Sequence, residues 1–198
     1  MSDDDEVLER SVDEPAVFAE LFDRHSGMVH RYVARRIGVG VADDILSETF
    51  LVAFEQRERF DPSLGSARPW LLGIATLLMK RHARLEARAW RGMVAGTAAQ
   101  IVPDAIELAN DRVDAARMSR KLAAALRSLP ARDRDTLLLY AWGDLDYEGV
   151  AAALEVPVGT VRSRLNRVRR VLRAAAGRSA DEEPEMDHGR VDPAPQRA

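Results

Sequence analysis

The sequence predicts an all-α fold made of two small helical domains that a flexible linker joins. Apolar residues recur at intervals of three and four in several segments, as they do on the buried face of an amphipathic helix. No segment shows the sustained alternation or the Asn-Gly and Asp-Gly turns that are typical of strands and hairpins. The helical pattern weakens between Gly92 and Asp114, where Gly96 and Pro103 also fall. This gap separates the two predicted domains.

The chain has 198 residues, which is enough for two small domains with a core each. We therefore expect five segments. These are an acidic, disordered N-terminus over residues 1–15, a first helical domain over 16–91, a linker over 92–116, a second helical domain over 117–176, and a disordered tail over 177–198.

The composition excludes several classes of protein. Cysteine is absent, so neither disulfides nor thiolate metal sites can form. The N-terminus is acidic where a secretory signal would be basic and then apolar. The longest apolar stretch, Trp70 to Met79, has about half the length that a membrane span needs. These observations predict a cytoplasmic protein that does not insert into a membrane.

The net charge of −3 conceals a strong segregation of charges along the chain. Residues 1–24 hold nine acidic residues against two arginines, and residues 181–187 hold five acidic residues. By contrast, Lys80 to Arg91 carries five basic residues against one glutamate, and Val158 to Arg173 carries six arginines and no acidic residue. Because phosphate binding depends on local basic surface rather than on total charge, both basic segments are candidate nucleic-acid contacts. The acidic ends fit solubilising tails.

Three helical segments are predicted in the first domain. The first carries apolar residues at helical spacing: Phe18, Leu21, Phe22, Val29, Tyr32 and Val33. The second runs from about Val41 to Arg57. Residues 60–69 contain two prolines and a glycine, which predicts a loop. The third begins at Trp70 and becomes basic beyond Met79.

A helix-turn-helix is predicted in the second domain, after two helices that end before Pro130 and Gly143. A short amphipathic helix begins at Tyr147, and the chain turns at Glu155 to Pro157. In the following helix the apolar residues share one face: Val161, Leu165, Val168 and Leu172. Its polar, arginine-rich outer face fits the major groove, where arginine pairs with guanine and asparagine with adenine. An outer face that is only solvated is the alternative interpretation.

The full order of the motifs resembles the sigma-70 family of bacterial RNA polymerase sigma factors, in its extracytoplasmic-function group. The segments FAELFDRHSGMVHRYVARRIG, VADDILSETFLVAFEQRERFDP and RPWLLGIA resemble the family's domain 2, a helical bundle. The segment LPARDRDTLLLYAWGDLDYEGVAAALEVPVGTVRSRLNRVRRVLR resembles domain 4, which carries a helix-turn-helix. The resemblance covers residues 18–91 and 118–173. It implies an alternative sigma factor, not an enzyme, that directs transcription initiation at −10 and −35 promoter elements.

The resemblance also implies partners and the residues that bind them. In the family, an acidic helix of domain 2 binds the coiled coil of the polymerase β′ subunit, and domain 4 binds the β flap. Here that acidic helix carries Asp43, Asp44 and Glu48, with Asp44 and Glu48 one turn apart. A metal site or a solvated face is the alternative, and no further ligands converge from the sequence. An anti-sigma factor is an expected partner, whereas no cofactor or metal is expected.

Promoter contacts are implied in both domains. The implied contact with a flipped base of the −10 region is Phe60, an aromatic residue of the loop that stacks on this base. The basic residues implied to hold phosphates there are Lys80, Arg81, Arg84 and Arg88. Trp70 is expected in the core. In the recognition helix and at its start they are Thr160, Arg162, Ser163, Arg164, Asn166, Arg167 and Arg170.

One residue departs from the family pattern. The family has asparagine where Leu77 follows Ile74-Ala75-Thr76, and leucine supplies no amide hydrogen bond. Either −10 recognition differs here, or Leu77 is used for packing.

Two other classes of protein remain as alternatives. A conventional one-component or response-regulator transcription factor has a similar helix-turn-helix but needs a sensing or receiver domain. An enzyme that uses the three carboxylates needs a phosphate loop, a nucleophile–base pair or metal-ligand spacing, and the sequence shows none of these motifs.

Overall fold

The computed structural model describes residues 3–62, 66–93 and 113–177, and these contain helices and no strand. The α-helices are α1 (Asp3–Asp13), α2 (Ala19–Ile37), α3 (Ala42–Gln56), α4 (Ala67–Met93), α5 (Val113–Ser128), α6 (Ala131–Trp142), α7 (Tyr147–Leu154) and α8 (Val158–Ala175). Short 3-10 turns at Pro15–Phe18, Val39–Val41 and Arg57–Arg59 connect the first four helices. We call α1–α4 the N-terminal helical domain and α5–α8 the C-terminal helical domain. The all-α prediction is confirmed.

The predicted disorder of residues 1–15 is wrong for α1. Val7 and Leu8 are each 2% exposed and belong to the core of the N-terminal helical domain. The Asp4 carboxylate accepts hydrogen bonds from Arg24 at 3.3 Å and from the backbone N–H of Ala67 at 3.3 Å. The acidic composition of this segment predicted disorder, although the segment contributes two core residues and a carboxylate that bonds to other parts of the domain. Such pairing lets charged residues leave water without the full desolvation cost.

Helices α2, α3 and α4 pack around one apolar core, as their spacing predicted. Leu21, Val29 and Val33 of α2 are buried, together with Ile45 of α3 and Leu71 of α4. A cluster of edge-on aromatic rings closes one end of this core, with ring centroids 4.8–6.5 Å apart, and its members are Phe18, Phe22, Phe50 and Phe54.

Helix α4 begins earlier than the sequence indicated. The predicted loop extended to Pro69, but the helix starts at Ala67 and includes this proline in its first turn. Proline is tolerated there because the first-turn N–H groups have no partner within the helix. The other end of α4 reaches Met93, one residue beyond the expected start of the linker at 92.

The C-terminal helical domain packs α8 against α5, α6 and α7. Val161, Leu165 and Val168 of α8 are buried, with Leu139 of α6 and Val150 of α7. The α7–α8 turn places Glu155 in the left-handed region at φ 51°, and Pro157 precedes α8. The side chain of Asp146 caps α7 by accepting a hydrogen bond from the N–H of Gly149 at 2.7 Å.

The two domains contact each other directly, chiefly through α4 and α7. Their buried apolar residues form one continuous cluster. The predicted linker, residues 92–116, is wrong at both ends, because α4 reaches Met93 and α5 begins at Val113. The rest of the linker, residues 94–112, and residues 178–198 of the predicted tail lie outside the described residues. Among the helices that are described, none combines the length and the apolar character that crossing a membrane requires.

Candidate nucleic-acid interface

The outer face of α8 presents most of the residues that the sequence assigned to it. Arg162, Ser163, Asn166 and Arg170 are exposed, whereas Thr160 is half-buried. The Ser163 hydroxyl donates to the backbone carbonyl of Thr160 at 2.9 Å. The Asn166 carboxamide oxygen accepts a hydrogen bond from Arg169 at 3.2 Å. The N–H₂ group of the same carboxamide is its donor and is not used in this bond. This face carries donors and positive charge without an acidic residue.

Two of the α8 arginines that the sequence assigned to DNA contact α6 rather than only the solvent. Nη1 of Arg167 donates to both carboxylate oxygens of Asp133, at 2.9 Å and 2.7 Å. Asp133 lies in the first turn of α6 and is 0% exposed. Arg164 is half-buried and donates to the Thr136 hydroxyl at 3.4 Å. Both arginines thus tie α8 to α6, which distinguishes them from the exposed Arg162 and Arg170.

The three carboxylates of α3 lie at the surface. Asp43 and Asp44 are exposed, and Oδ1 of Asp43 is 3.3 Å from Nε2 of His30. Glu48 is half-exposed, and its Oε1 is 3.4 Å from Nη1 of Arg81 on α4. An exposed ion pair of this kind contributes little to stability, so a partner can displace it at low cost. No group of three acidic or histidine side chains within the described part of the chain could hold a metal ion.

Phe60 and Trp70 pack on each other. Their ring centroids are 5.2 Å apart at an interplanar angle of 54°, and both rings are half-buried against the core. Residues 63–65 of the loop between them lie outside the described residues. Phe60 is therefore held at the edge of the N-terminal helical domain with part of its ring accessible, and Trp70 supports it from the start of α4.

The basic residues of α4 divide into two pairs. Arg84 and Arg88 are exposed. Lys80 and Arg81 instead have acidic partners: Nζ of Lys80 is 2.7 Å from Oδ2 of Asp135, and Arg81 contacts Glu48. His82 lies among them, with Nδ1 3.6 Å from Oε2 of Glu86 one turn away. Half of the predicted phosphate contacts on α4 are thus already paired within the chain.

The amino-acid sequence matches two protein families, one in each helical domain. Residues 21–91 match the family described as Sigma-70 region 2, and residues 119–172 match the one described as Sigma-70, region 4. The ECF RNA polymerase sigma factor SigC of Mycobacterium tuberculosis is 36% identical over 151 residues, which are 75% of this chain and 77% of that protein. The chain belongs to the sigma-70 family of RNA polymerase sigma factors. The resemblance noted in the sequence is thereby confirmed.

Further relatives of this sigma factor belong to the same group. SigL of Mycobacterium tuberculosis, also an ECF RNA polymerase sigma factor, is 30% identical over 164 residues, which are 81% of this chain and 89% of that protein. Among solved structures, CnrH in complex with the cytosolic domain of CnrY matches 90% of this chain and 99% of its own, with 22% identity and a TM-score of 0.59. The sigma factor RpoE of Bartonella quintana, solved with the anti-sigma factor NepR, matches 83% and 98%, with 20% identity and a TM-score of 0.55. These two likenesses support the fold.

Leu77 has a clear position in this sigma factor. Its side chain is 64% exposed on α4, while its neighbours Thr76 and Leu78 are buried. Of the two explanations raised by the sequence, packing within this chain is therefore wrong. The leucine stands at the surface, at the position where the resemblance implied an asparagine.

Sequence reasoning missed an ionic network between the two domains of the sigma factor. Arg36 of α2 donates to Oδ1 of Asp135 at 2.6 Å and to the Tyr32 hydroxyl at 2.8 Å, and that hydroxyl is 2.9 Å from the Thr76 hydroxyl. Burial raises the pKa of Tyr32. Burial alone would lower the pKa of Arg36, but the Coulombic effects of Tyr32 and Asp135, with their hydrogen bonds, outweigh it and raise that pKa. The only sequence signal was an acidic residue on the apolar face of α6.

Proposed function

We propose that this chain is an alternative sigma factor that binds core RNA polymerase and directs transcription initiation at promoters with −10 and −35 elements. The observation that carries the proposal is the presence, in one chain and in the family's order, of region 2 and region 4, each helical in its described residues. The N-terminal helical domain contributes polymerase and −10 contacts, and the helix-turn-helix contributes −35 contacts. The chain is a transcription initiation factor that works by binding.

The polymerase contact is assigned to the acidic surface of α3. Asp43, Asp44 and Glu48 project from the same helix, and the first two are exposed. Carboxylates on a rigid helix fit a basic surface on β′, with each charge-assisted hydrogen bond supplying about 1.5–3 kcal/mol. A basic coiled coil would displace Arg81 from Glu48, and that arginine would then be released toward DNA.

A matched pair of variants tests this contact. Asp44→Ala should weaken the affinity for purified core polymerase about tenfold, which equals about 1.4 kcal/mol. Glu55→Ala removes another exposed carboxylate from the same helix and should leave the affinity unchanged. Equal affinities of the two variants, measured by fluorescence anisotropy with labelled protein, would contradict the assignment.

The −35 contact is assigned to the exposed residues of α8. Arg162 and Asn166 offer the donor patterns that read guanine and adenine edges, and Arg170 lies near enough along the helix to hold a phosphate. Arg162→Ala should lower promoter affinity by about 1–3 kcal/mol and relax specificity at one base pair. Lys121→Ala, which removes an exposed cation from α5, is the control and should leave specificity unchanged.

The −10 contact is assigned to Phe60 and the basic side of α4. A half-exposed ring supported by Trp70 suits stacking with an unpaired base, which is worth about 1–3 kcal/mol per base. Phe60→Ala should reduce open-complex formation while duplex −35 binding stays the same. Permanganate reactivity of unpaired thymines measures the first, and electrophoretic mobility shift with a −35 duplex measures the second.

An anti-sigma factor is proposed as the regulatory partner. Two of the solved structures that share this fold are complexes: CnrH with the cytosolic domain of CnrY, and the sigma factor RpoE with the anti-sigma factor NepR. A purified anti-sigma candidate should bind this chain in an equimolar complex and suppress its transcription with core polymerase. A complex that transcribes as well as the free protein would remove that candidate.

A further inference from the structure

Helix α1 bonds to the chain on both sides of the segment that carries the proposed base-stacking ring, Phe60. After this segment, the Asp4 carboxylate accepts a hydrogen bond from the backbone N–H of Ala67, the first residue of α4, at 3.3 Å. Before it, the backbone carbonyl of Ser11 accepts a hydrogen bond from Nε of Arg57 at 3.1 Å. Asp4 and Ser11 are separated by about 10 Å along α1, given a rise of about 1.5 Å per residue. Helix α1 therefore bridges the two ends of this segment.

The start of α4 is fixed by side-chain acceptors. The N–H of Ala67 bonds to Asp4, and the N–H of Arg68 bonds to the Ser66 hydroxyl at 3.2 Å. Pro69 has no N–H that needs a partner. Because the first N–H groups of a helix have no acceptor within the helix, the side chains that bond to them help to set where it begins. A negative charge at this end is also favoured by the helix dipole.

Both ends of the bridge lead to one pair of aromatic rings. The Arg57 guanidinium bonds to the carbonyl of Ser11 and, at 2.7 Å, to that of Phe54. The Arg57 carbonyl accepts a hydrogen bond from the N–H of Phe60 at 3.2 Å. The Phe60 ring lies 5.2 Å from that of Trp70, which belongs to the first turn of α4. Arg57 thus holds one ring, and the start of α4 holds the other.

Helix α1 is itself held firmly in the N-terminal helical domain. Between the two anchors, Val7 and Leu8 are buried in the core. The Asp4 carboxylate is held from α2, with Oδ2 2.9 Å from Nε2 of His25 and Oδ1 3.3 Å from Nη1 of Arg24. A residue can position another only if its own place is fixed by packing and hydrogen bonds, and α1 meets this condition.

We propose that α1 positions the Phe60–Trp70 ring pair for the −10 base, with Asp4 and Arg57 as the positioning residues. This role rests on the proposed function and extends it to the acidic N-terminal segment. Both residues act through the ring pair rather than by contact with DNA. Stacking depends on the orientation of the rings, so a small displacement of the pair weakens the contact with a base.

Three variants of α1 distinguish positioning from stability. Asp4→Ala removes the acceptor for the Ala67 N–H together with the charge that faces His25. Asp4→Asn removes the charge but keeps a carboxamide oxygen that can accept the same N–H. Glu6→Ala, the matched control, removes an exposed carboxylate from the same helix. Both Asp4 variants should lower the melting temperature, whereas only Asp4→Ala should displace the rings.

Binding of a fluorescein-labelled −10 single strand to the full-length variants is the first readout, at a temperature where circular dichroism shows them all folded. Asp4→Ala and Arg57→Ala should each weaken the affinity about three- to tenfold, which is part of the stacking contribution of one base. Asp4→Asn and Glu6→Ala should bind as the parent does. Affinity for a −35 duplex should be unchanged throughout. The salt dependence of Arg57→Ala should equal the parent's, because Arg57 is given no phosphate to hold.

Acrylamide quenching of Trp70 fluorescence follows the ring pair without DNA or polymerase. Trp90→Phe and Trp142→Phe leave Trp70 as the single tryptophan of the chain. In this background Asp4→Ala should raise the quenching constant about twofold, because a ring that has lost its support is more open to solvent. Asp4→Asn and Glu6→Ala should leave the quenching constant unchanged.

Two results would overturn the positioning role. One is the same strand affinity and Trp70 quenching in Asp4→Ala as in Glu6→Ala. The other is a strand affinity of Asp4→Asn as low as that of Asp4→Ala, because the loss would then follow the charge rather than the acceptor. Failure of the proposed function would instead appear as a parent protein that binds neither core polymerase nor the strand. Trp70 quenching would in that case still show whether α1 positions the ring pair.

Discussion

Replacing Arg167 by alanine should destabilise the C-terminal helical domain rather than merely weaken DNA binding. Nη1 of Arg167 bonds both oxygens of Asp133, a carboxylate that is 0% exposed. Without the arginine, a buried charge remains unpaired, and such losses cost about 3–5 kcal/mol when both partners are buried. The Arg167 side chain is 42% exposed, and Asp133 lies in the first turn of α6, where the helix dipole favours an anion. We therefore expect about 2 kcal/mol.

Urea denaturation followed by circular dichroism measures this effect. Arg162→Ala is the matched control, because it removes an exposed arginine from the same helix and should change stability by less than about 0.5 kcal/mol. Adding Asp133→Asn to Arg167→Ala should restore part of the loss, since the unpaired charge is then absent. The reasoning would be refuted if Arg167→Ala and Arg162→Ala unfolded at the same urea concentration while both lost promoter affinity.

Three further predictions concern the N-terminal helical domain. Leu8→Ala should lower the free energy of unfolding by about 2 kcal/mol, since Leu8 is buried in the core; a change below about 0.5 kcal/mol in urea denaturation would mean that α1 is a dispensable tail. Asp4 has a pKa below its ordinary value of 3.8, because its hydrogen bonds and charge interaction with His25, and its bonds from Ala67 and Arg24, outweigh the effect of burial. Its contribution to stability should therefore be complete above that value and lost as the pH falls below it; the difference in unfolding free energy between the parent and Asp4→Asn should shrink in that window, and a constant difference would contradict the assignment. Leu77→Asn should leave the melting temperature within about 2 °C of the parent, because the side chain is exposed, but should change base preference in the −10 element; selection from a randomised promoter pool reads this out, and identical preferences would show that residue 77 does not contact the strand.

The helix-turn-helix was predictable because its signals are local. The apolar spacing of Val161, Leu165 and Val168 and the proline before α8 each follow from neighbouring residues. The left-handed residue at the turn, Glu155, is not of a type that marks such a position, so its conformation is set by the packing of α7 against α8.

The roles of individual charged residues were less predictable. The helical period correctly placed Arg167 off the apolar face, but its long side chain reaches back to a residue 34 positions earlier. A carboxylate that pairs with Arg36 over 99 positions gives no local signal either. The acidic sequence of α1 predicted disorder, but Val7 and Leu8 are buried in tertiary contacts that hold this segment as a helix. Long-range pairing, which no window of the sequence contains, explains each of these differences.

The most direct test of the central claim is transcription in vitro with purified bacterial core polymerase on a library of candidate promoters, with and without this chain. The account predicts new transcripts that begin at a fixed distance from one shared pair of −35 and −10 elements and that disappear with the Arg162→Ala variant at the cognate −35 sequence. Absence of initiation and of core binding, together with binding of the chain to duplex DNA alone, would contradict it and favour a conventional helix-turn-helix regulator.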